Sequence, residues 1–466
     1  MKILPLLCLL LLTTTAFAKP NIIVVFVDNF GNGDLGCFGS KLHRTPHVDK
    51  LAAEGTKFTS FYVASGVCTP SRAALMTGCY PRRVNMHLSA TGGAVLQPVA
   101  QKGLNPAETT IAEVLKGAGY ATMCIGKWHL GDQREFLPTR QGFDDFFGIP
   151  YSDDMTKDKR PAEWPELPLM RGEKVIEAPA DRDHLVQRCT QEAVRFIEAN
   201  ANKPFFLYLP HTMPGSTPHP FSSEAFRTKS ANGDYGDAVE ELDWSTGEIV
   251  AALKRLKLDD NTLIVWTSDN GAPKRDPQQG SNAPYRGWGY DTSEGAMRMP
   301  CIMRWPGKIP AGAVNDALCS TMDLLPTFAA LTDAKLPQQK MDGHDIRPLL
   351  FDAKGTASPW DDDGFFYYRT EQLQAVRSGD WKLYLPVTTK SSNPNAKRKS
   401  IPTKLELYDV RHDVSEQHEA SAQHPEVVKR LTELAEKARA ELGDVDRPGA
   451  GQRAAGRVEK PMPLVP

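Results

Sequence analysis

The sequence lacks the features that mark several common classes of protein. Its 55 Lys and Arg residues are balanced by 57 Asp and Glu residues, a formal net charge of −2, so there is no basic excess to attract nucleic acid. Its 8 cysteines include no Cys-x-x-Cys pair of the kind that binds zinc or exchanges electrons. No internal repeat is evident. These absences argue against a nucleic-acid-binding protein, a zinc module and a repeat array.

The apolar run near the N-terminus is too short to span a membrane. It extends from Ile3 to Leu12, follows Lys2, and precedes Ala16-Phe17-Ala18, a small-x-small cleavage pattern. We therefore predict a signal peptide over residues 1–18 and an exported protein, periplasmic or secreted, with no membrane span after cleavage. An uncleaved anchor is the alternative. Export permits disulfides, but free buried thiols are equally compatible with the remaining cysteines.

The chain is long enough for one large domain and a smaller one. Of its 466 residues, 41% are apolar and 24% charged, an ordinary globular composition. Four continuous apolar runs are typical of strands buried on both faces: residues 21–27, 121–125, 205–209 and 263–268. Polar residues and predicted helices alternate with them. We expect an α/β fold with a large mixed, mostly parallel sheet sandwiched by helices, and one site at its carboxyl edge.

Shorter aromatic strands are predicted towards the C-terminus, as in an antiparallel meander. They fall at 365–369, 373–377, 381–385 and 405–409, and one amphipathic helix is predicted at 425–442. The expected organisation is a large domain over residues 19–350, a C-terminal four-stranded antiparallel sheet with a helix over 351–446, and a flexible tail over 447–466.

A cysteine-containing segment carries the most specific chemistry. Cys68-Thr69-Pro70-Ser71-Arg72 precedes strong helix formers, so Cys68 is expected just ahead of a helix N-terminus, where unpaired N–H groups favour an anion. Arg72, one turn later, adds positive charge. On local chemistry alone, an inert buried cysteine that opens an ordinary helix is equally compatible.

Other candidate residues follow the predicted strands. Asp28 with Asn29, and Asp269 with Asn270, offer oxygen ligands suited to a hard divalent cation, although Asp-Asn after a strand is usually a turn. Lys127 and His129 lie two apart and face the same way on an extended segment. His211 follows another strand, and a single histidine is more often structural than catalytic. Ser152 alone would be an ordinary loop serine.

Taken in order, these segments resemble the type I sulfatases of the arylsulfatase A kind. The resemblance is carried by Cys-x-Pro-Ser-Arg with Leu-x-Thr-Gly, and by five further segments along the chain: Pro20 to Gly36, Gly126 to Gly131 (Gly-Lys-Trp-His-Leu-Gly), Gly148 to Ser152 (Gly-Ile-Pro-Tyr-Ser), Thr267 to Gly271, and Gly280 to Trp305. It implies an alkaline-phosphatase-like fold, a catalytic domain over 19–350, and hydrolysis of an aryl or carbohydrate sulfate ester.

The resemblance also implies a set of site residues. Formylglycine-generating machinery would oxidise Cys68 to formylglycine. Calcium would bind the modified Cys68 and the four strand-end residues, Asp28, Asn29, Asp269 and Asn270. A second group of residues would form the sulfate pocket: Arg72, Lys127, His129, Ser152 and His211. The hydrated aldehyde has one hydroxyl to attack sulfur and a second to release the sulfate. His211 would protonate the leaving oxygen and His129 would take the proton from the second hydroxyl, while cations spread the charge.

Two positions depart from the family pattern. Asn29 stands where the family usually has a second aspartate, which removes a negative charge from the metal site. Gly289 stands where a lysine usually contacts the sulfate, so the pocket loses a cation unless Arg286 or Lys274 reaches in. These departures leave two alternatives open: a phosphate or phosphonate ester hydrolase, and a non-catalytic protein that binds sulfated glycans. Substrate specificity is expected in the loops at 153–183 and 212–232 and in the C-terminal domain.

Overall fold

The structure is a computed structural model that describes residues 19–352, 356–387, 404–445 and 447–465. The predicted signal peptide at 1–18 lies outside the described residues. The strands are β1 Asn21–Val27, β2 Thr56–Tyr62, β3 Lys102–Gly103, β4 Ala121–Lys127, β5 Asp145–Ile149, β6 Leu169–Arg171, β7 Lys174–Glu177, β8 Phe205–Leu209, β9 Thr262–Ser268, β10 Arg298–Arg304, β11 Ala313–Asn315, β12 Cys319–Ser320, β13 Phe365–Arg369, β14 Gln372–Ser378, β15 Trp381–Tyr384, β16 Glu406–Asp409, β17 Gly443–Asp444, β18 Arg447–Pro448 and β19 Gly456–Arg457.

Ten α-helices lie in the described ranges, and several begin or end at residues whose chemistry explains the boundary. Thr110 caps α3 by accepting from Glu113 N, and Gly78, in the left-handed conformation at φ 66°, ends α2. The helices are α1 Pro46–Glu54, α2 Cys68–Thr77, α3 Ile111–Gly117, α4 Leu185–Ala199, α5 Gly233–Arg255, α6 Glu294–Met297, α7 Leu324–Thr332, α8 Arg347–Phe351, α9 Trp360–Asp363 and α10 Pro425–Leu442.

The large sheet has the order β11-β2-β10-β9-β1-β8-β4-β5-β6-β7, with β12 also paired to β2. Its centre, from β9 through β1, β8 and β4 to β5, is parallel, so the carboxyl ends of these five strands lie at one edge. β10 is antiparallel to β9 and β2, and β6 and β7 are antiparallel at the other side. The predicted mixed, mostly parallel sheet is confirmed.

Helices cover both faces of this sheet. Ile22, Val24 and Phe26 of β1 pack in one apolar cluster with residues of α2, α3 and α7. The alternate residues Ile23 and Val25 pack in a second cluster with residues of α1, α4 and α5. Because side chains alternate across a strand, burial on both faces requires the continuous apolar sequence that predicted β1.

The smaller sheet, β13-β14-β15-β16, is antiparallel throughout and packs against α10. This confirms the predicted C-terminal α+β unit. Its core is continuous with part of the large domain, since Tyr62 and Met299 share an apolar cluster with Tyr367, Val376 and Leu383. The exact boundary near residue 350 stays a prediction.

The structure differs from the sequence prediction in the C-terminal tail. Residues 447–465 return to the large domain instead of extending away from it. β19 pairs with β3, and the Arg453 guanidinium lies 2.7 Å from a carboxylate oxygen of Glu108, which is buried. A Gly- and Arg-rich segment gives no hydrophobic periodicity, so its backbone pairing and ion pair could not be recognised from the sequence.

Two further observations concern the cysteines and the helices. The seven cysteines of the described ranges are all unpaired, so the free-thiol alternative holds for them; Cys8 lies outside those ranges. Among the described helices, none combines the length and the apolar character that crossing a membrane requires.

Candidate active site

Two adjacent strand ends bring four polar side chains together. β1 and β9 run in register, with Val27 opposite Ser268, so the residues that follow them meet at the carboxyl edge of the sheet. The Asp269 N–H donates to Val27 O at 3.0 Å, and the Asn29 N–H donates to Asp269 Oδ1 at 3.0 Å. All four predicted metal-binding residues of these ends are fully buried: Asp28, Asn29, Asp269 and Asn270.

Cys68 is the first residue of α2 and lies directly against these strand ends. Its Sγ lies 3.4 Å from Asp28 Oδ1 and 3.7 Å from Asn270 Oδ1. Burial raises the pKa of Cys68 well above its usual value, and the charges of Asp269 and Asp28 raise it further. An unmodified Cys68 is therefore a protonated thiol, which is a poor nucleophile.

The donor set at this point suits a hard divalent cation. One ligand atom from each of Asp28, Cys68 and Asp269 lies within 4.8 Å of the others. The Asn270 amide oxygen lies beside Cys68 Sγ, and the Asn29 amide oxygen accepts from Asn270 Nδ2, so carboxylate and amide oxygens dominate. An oxygen in place of the Cys68 sulfur would make the set entirely oxygen. The residues present thus fit the calcium ion that the sequence predicts.

Arg72 is held behind the strand ends, where it bonds the protein itself. Its guanidinium donates to Asp28 Oδ1 at 2.9 Å, to Asp269 Oδ2 at 2.7 Å and to the Lys127 carbonyl at 2.8 Å, and it is fully buried. This geometry differs from the expected place of Arg72 in the sulfate pocket. It fixes two carboxylates and the end of β4.

Lys127, the last residue of β4, is also fully buried. Its Nζ lies 2.9 and 3.0 Å from the two Asp28 carboxylate oxygens and 3.1 Å from Ser152 Oγ. Burial alone would raise the pKa of Asp28, but Lys127 and Arg72 outweigh it and hold this pKa well below its usual range. Burial and the Asp28 charge raise the pKa of Asp269.

His129 uses only one of its two ring nitrogens for a hydrogen bond within the described residues. Its Nε2 lies 3.0 Å from Leu96 O, and its buried Nδ1 has no hydrogen-bond partner among those residues. Because a carbonyl only accepts, Nε2 carries the hydrogen and Nδ1 holds a lone pair. Burial and the Lys127 charge lower the pKa of His129 well below its usual value, so the ring is neutral.

His211 follows β8 and is oriented by a different partner. Its Nε2 lies 3.1 Å from Ser245 Oγ on α5, and its buried Nδ1 also lacks a hydrogen-bond partner in the part of the chain that the structure describes. Burial lowers the pKa of His211 to about 3. Since a hydroxyl either donates or accepts, the hydrogen of His211 lies on either nitrogen.

A cavity of about 280 Å³ opens at this edge of the sheet. Among the predicted site residues, Cys68, His129 and Ser152 line it. The other predicted site residues do not line it: Asp28, Asn29, Arg72, Lys127, His211, Asp269 and Asn270. Neither candidate replacement for the family lysine lines it: Lys274 is exposed, and Arg286 pairs with Glu416 at 3.0 Å.

The cavity wall also includes residues that sequence reasoning missed. Ser216 and Tyr290 line it, and the small domain contributes Tyr368, Arg369 and Thr370 from the β13–β14 hairpin. No local pattern marks these residues, because three distant loops bring them together.

Asp153 was also missed, although it directly follows Ser152. It is fully buried, and burial raises its pKa to about 7. Within the described ranges, neither of its carboxylate oxygens has a hydrogen-bond partner. Its position beside a predicted site residue was the only signal in the sequence.

Known proteins share this arrangement of domains. The sulfatase family model matches residues 20–334, and the model for the C-terminal region of N-sulphoglucosamine sulphohydrolase matches residues 288–441. The N-acetylgalactosamine-6-sulfatase of Sus scrofa is 39% identical over 81% of this chain and 74% of its own, and arylsulfatase A of Homo sapiens is 36% identical over 89% and 87%. The solved structure of Ps i-CgsB in complex with k-i-k-neocarrahexaose is 30% identical, covers 90% of this chain and 92% of its own, and superposes with a TM-score of 0.75.

Proposed function

The chain belongs to the type I sulfatase family and is a sulfuric ester hydrolase, and from this premise we propose that it removes sulfate from a sulfated carbohydrate by means of a formylglycine made from Cys68. The observation that carries the proposal is that Cys68, which lines the cavity, converges with the buried carboxylates of Asp28 and Asp269.

The state of Cys68 supports its modification. As a buried thiol with a raised pKa it would be a weak nucleophile. Formylglycine, when hydrated, supplies one hydroxyl that attacks sulfur and a second whose proton can be removed to expel sulfate. Maturation would depend on formylglycine-generating machinery in the host.

The four strand-end residues, with the modified Cys68, would hold calcium: Asp28, Asn29, Asp269 and Asn270. Bound there, calcium would supply positive charge beside the nucleophile and the transferred sulfate. Arg72 keeps both carboxylates in place through its bonds to Asp28 and Asp269, so we assign it a positioning role. Lys127 fixes Asp28 and orients Ser152, which lines the cavity.

The two histidines divide the proton transfers. His129 lines the cavity and keeps a lone pair on its buried Nδ1, so it acts as the base towards the second hydroxyl of the hydrate. His211 is neutral in the free protein. A bound sulfate anion nearby would favour its protonated form, from which it gives a proton to the leaving oxygen.

A sulfated glycan is the substrate class that the surroundings favour. The cavity takes part of its wall from the small domain, so a substrate extending beyond the sulfate would contact both domains. A 30% identical relative is solved with a carrageenan-type oligosaccharide bound. An exported enzyme, periplasmic or secreted, would meet such polymers outside the cytoplasm.

The test combines mass with turnover. In protein coexpressed with formylglycine-generating machinery, the peptide containing Cys68 should have the mass of the aldehyde form, and the protein should hydrolyse members of a panel of sulfated sugars. Cys68→Ser should keep the fold and lose multiple turnover, while Cys37→Ser, at a half-buried cysteine outside the site, should keep activity. Full activity with intact thiol at position 68, or tenfold faster hydrolysis of matched phosphate esters, would overturn the proposal.

A further inference from the structure

Tyr290 lines the cavity beside Cys68 and takes no part in the attack on sulfur or in the proton transfers. Its backbone is unusual, because a φ of 81° is rarely adopted by a residue with a large side chain. The Tyr290 N–H donates to Gly66 O at 2.9 Å, which ties this conformation to the segment just before α2. Strained backbone conformations concentrate at functional sites, so the Tyr290 side chain is a candidate functional group.

A chain of hydrogen bonds leads from the metal-binding residues to the Tyr290 hydroxyl. Asn270 Nδ2 donates to Gly271 O at 3.0 Å and to Asn29 Oδ1 at 2.5 Å, which fixes the orientation of both amides. Asn29 Nδ2 therefore points the other way and donates to Ser216 Oγ at 3.0 Å. Ser216 Oγ lies 2.9 Å from Tyr290 Oη.

This series of hydrogen bonds leaves one hydroxyl hydrogen available at the cavity. Ser216 Oγ accepts from Asn29, so its own hydrogen can go to Tyr290 Oη, and the phenolic hydrogen of Tyr290 then points elsewhere. Both Ser216 and Tyr290 line the cavity, which places that hydrogen where a ligand oxygen could accept it. The amide at position 29 is essential here, since a carboxylate has no hydrogen to donate.

The neighbouring Gly289 explains why the donor comes from position 290. A Cβ at Gly289 would lie 2.3 Å from Gly271 O, so no side chain fits at that position without a backbone shift. The positive φ of Tyr290 follows directly after it. Asn29, Gly289 and Tyr290 thus form one arrangement, in which a neutral donor stands at the cavity wall.

We propose that Tyr290 binds the sulfate group of the substrate, its hydroxyl donating to a non-bridging sulfate oxygen, and that Ser216 and Asn29 position that hydroxyl. The inference rests on the proposed function and adds a substrate-binding residue to it. A neutral donor suits a sulfate monoester, which carries one negative charge, better than the dianion of a phosphate monoester.

The direct test is Tyr290→Phe, which removes the hydroxyl and keeps the ring. kcat/KM for a sulfated sugar should fall about 10- to 100-fold, the range expected for a hydrogen bond to a charged group. Binding of inorganic sulfate, measured by calorimetry without turnover, should weaken to a similar extent. Tyr285→Phe is the matched control: Tyr285 lies in the same segment with similar partial exposure, but its hydroxyl donates to Thr59 O. It should stay within about twofold of wild type.

Ser216 provides the second test, because the proposal gives it a positioning role through its hydrogen bond with Tyr290. Ser216→Ala should raise KM and the sulfate dissociation constant with little change in melting temperature, and Ser216→Thr, which keeps a hydroxyl, should restore both. Unchanged sulfate binding and unchanged kinetics in Tyr290→Phe would overturn the inference while leaving the proposed function intact. A wild-type protein that contains the aldehyde but turns over no sulfate ester would instead refute the proposed function, and the calorimetric comparison would still test Tyr290.

Discussion

At the scale of single residues, His129 and His211 show how one hydrogen-bond partner decides the chemistry of a ring. Each has a buried Nδ1 with no hydrogen-bond partner among the residues that the structure describes. The carbonyl that faces His129 Nε2 can only accept, so His129 Nδ1 is a base. The Ser245 hydroxyl that faces His211 can also donate, so His211 Nδ1 is able to carry a proton. The neighbour of Nε2 therefore differs between the histidine that accepts a proton and the histidine that donates one.

His211→Asn should slow the hydrolysis of substrates with poor leaving groups far more than that of activated ones. A general acid contributes roughly 10²- to 10⁴-fold when the leaving oxygen needs a proton. For a nitrophenyl sulfate, whose leaving group needs little protonation, we expect a loss of about tenfold or less. Steady-state kcat over a series of leaving groups measures the difference. His219→Asn is the control, because His219 is exposed and pairs with Asp234. An equal loss across the series would contradict the assignment.

At the scale of elements, the ends of parallel strands bring the site together, and the sequence predicts this well. β1, β4, β8 and β9 coincide with continuous apolar runs, because strands buried on both faces tolerate few polar residues. Four strand ends at one edge then place Asp28, Lys127 and Asp269 together, with His211 after the neighbouring β8, without any knowledge of the loops. α10 occupies the predicted residues, since its apolar stripe and Pro425 define it.

Other elements could not be predicted for physical reasons. β10 contains Pro300 and two arginines, and its register with β2 shifts near the proline, so its sequence does not have the pattern of a central strand. The wall residues Ser216 and Tyr290 depend on a contact between loops 74 residues apart. Likewise, only the tertiary structure shows that the Arg72 guanidinium is hydrogen-bonded to two carboxylates.

The paired ends of β1 and β9 also predict how the metal site responds to charge. Calcium should raise the melting temperature of chelator-treated protein, because it binds carboxylates that the native fold holds together. Asn29→Asp adds a negative ligand and should tighten calcium binding about tenfold. Because the aspartate cannot donate to Ser216, kcat/KM at saturating calcium should nevertheless fall.

Thermal shift over a calcium titration measures the affinity, with turnover recorded at saturation. Asn261→Asp is the control: Asn261 immediately precedes the amino end of β9, and its Nδ2 donates to Lys19 O, far along the strand from Asp269. It should change neither quantity. Calcium affinity that is unaltered in Asn29→Asp would argue against a ligand at position 29.

At the scale of the whole molecule, a buried charge joins the two domains behind the cavity. Glu294 of the large domain lies 2.8 Å from Lys382 Nζ of β15 and 3.4 Å from Arg298 Nη1, and Tyr367 of β13 donates to it at 3.2 Å. Glu294 and Lys382 are fully buried. The hairpin that follows β13 lines the cavity, so this pair fixes the wall that we expect to contact the substrate.

Glu294→Gln should therefore destabilise the protein and do so in a pH-dependent way. Removing one charge leaves Lys382 buried without its closest partner, a loss of roughly 3 kcal/mol at neutral pH. Burial alone would raise the pKa of Glu294, but Lys382 and Arg298 outweigh it and hold the pKa well below its usual range. A lowered pKa stabilises the fold above the unfolded value, about 4.3, and this contribution is lost as pH falls towards the folded value. The stability advantage of wild type over the variant should thus shrink as pH falls below about 4.3.

Urea unfolding between pH 3 and 7 measures the difference in the free energy of unfolding between the two proteins. Glu433→Gln on the exposed face of α10 should shift stability by less than about 0.5 kcal/mol at every pH, and a gap that does not narrow in acid would show that Glu294 is not the ion that joins the domains.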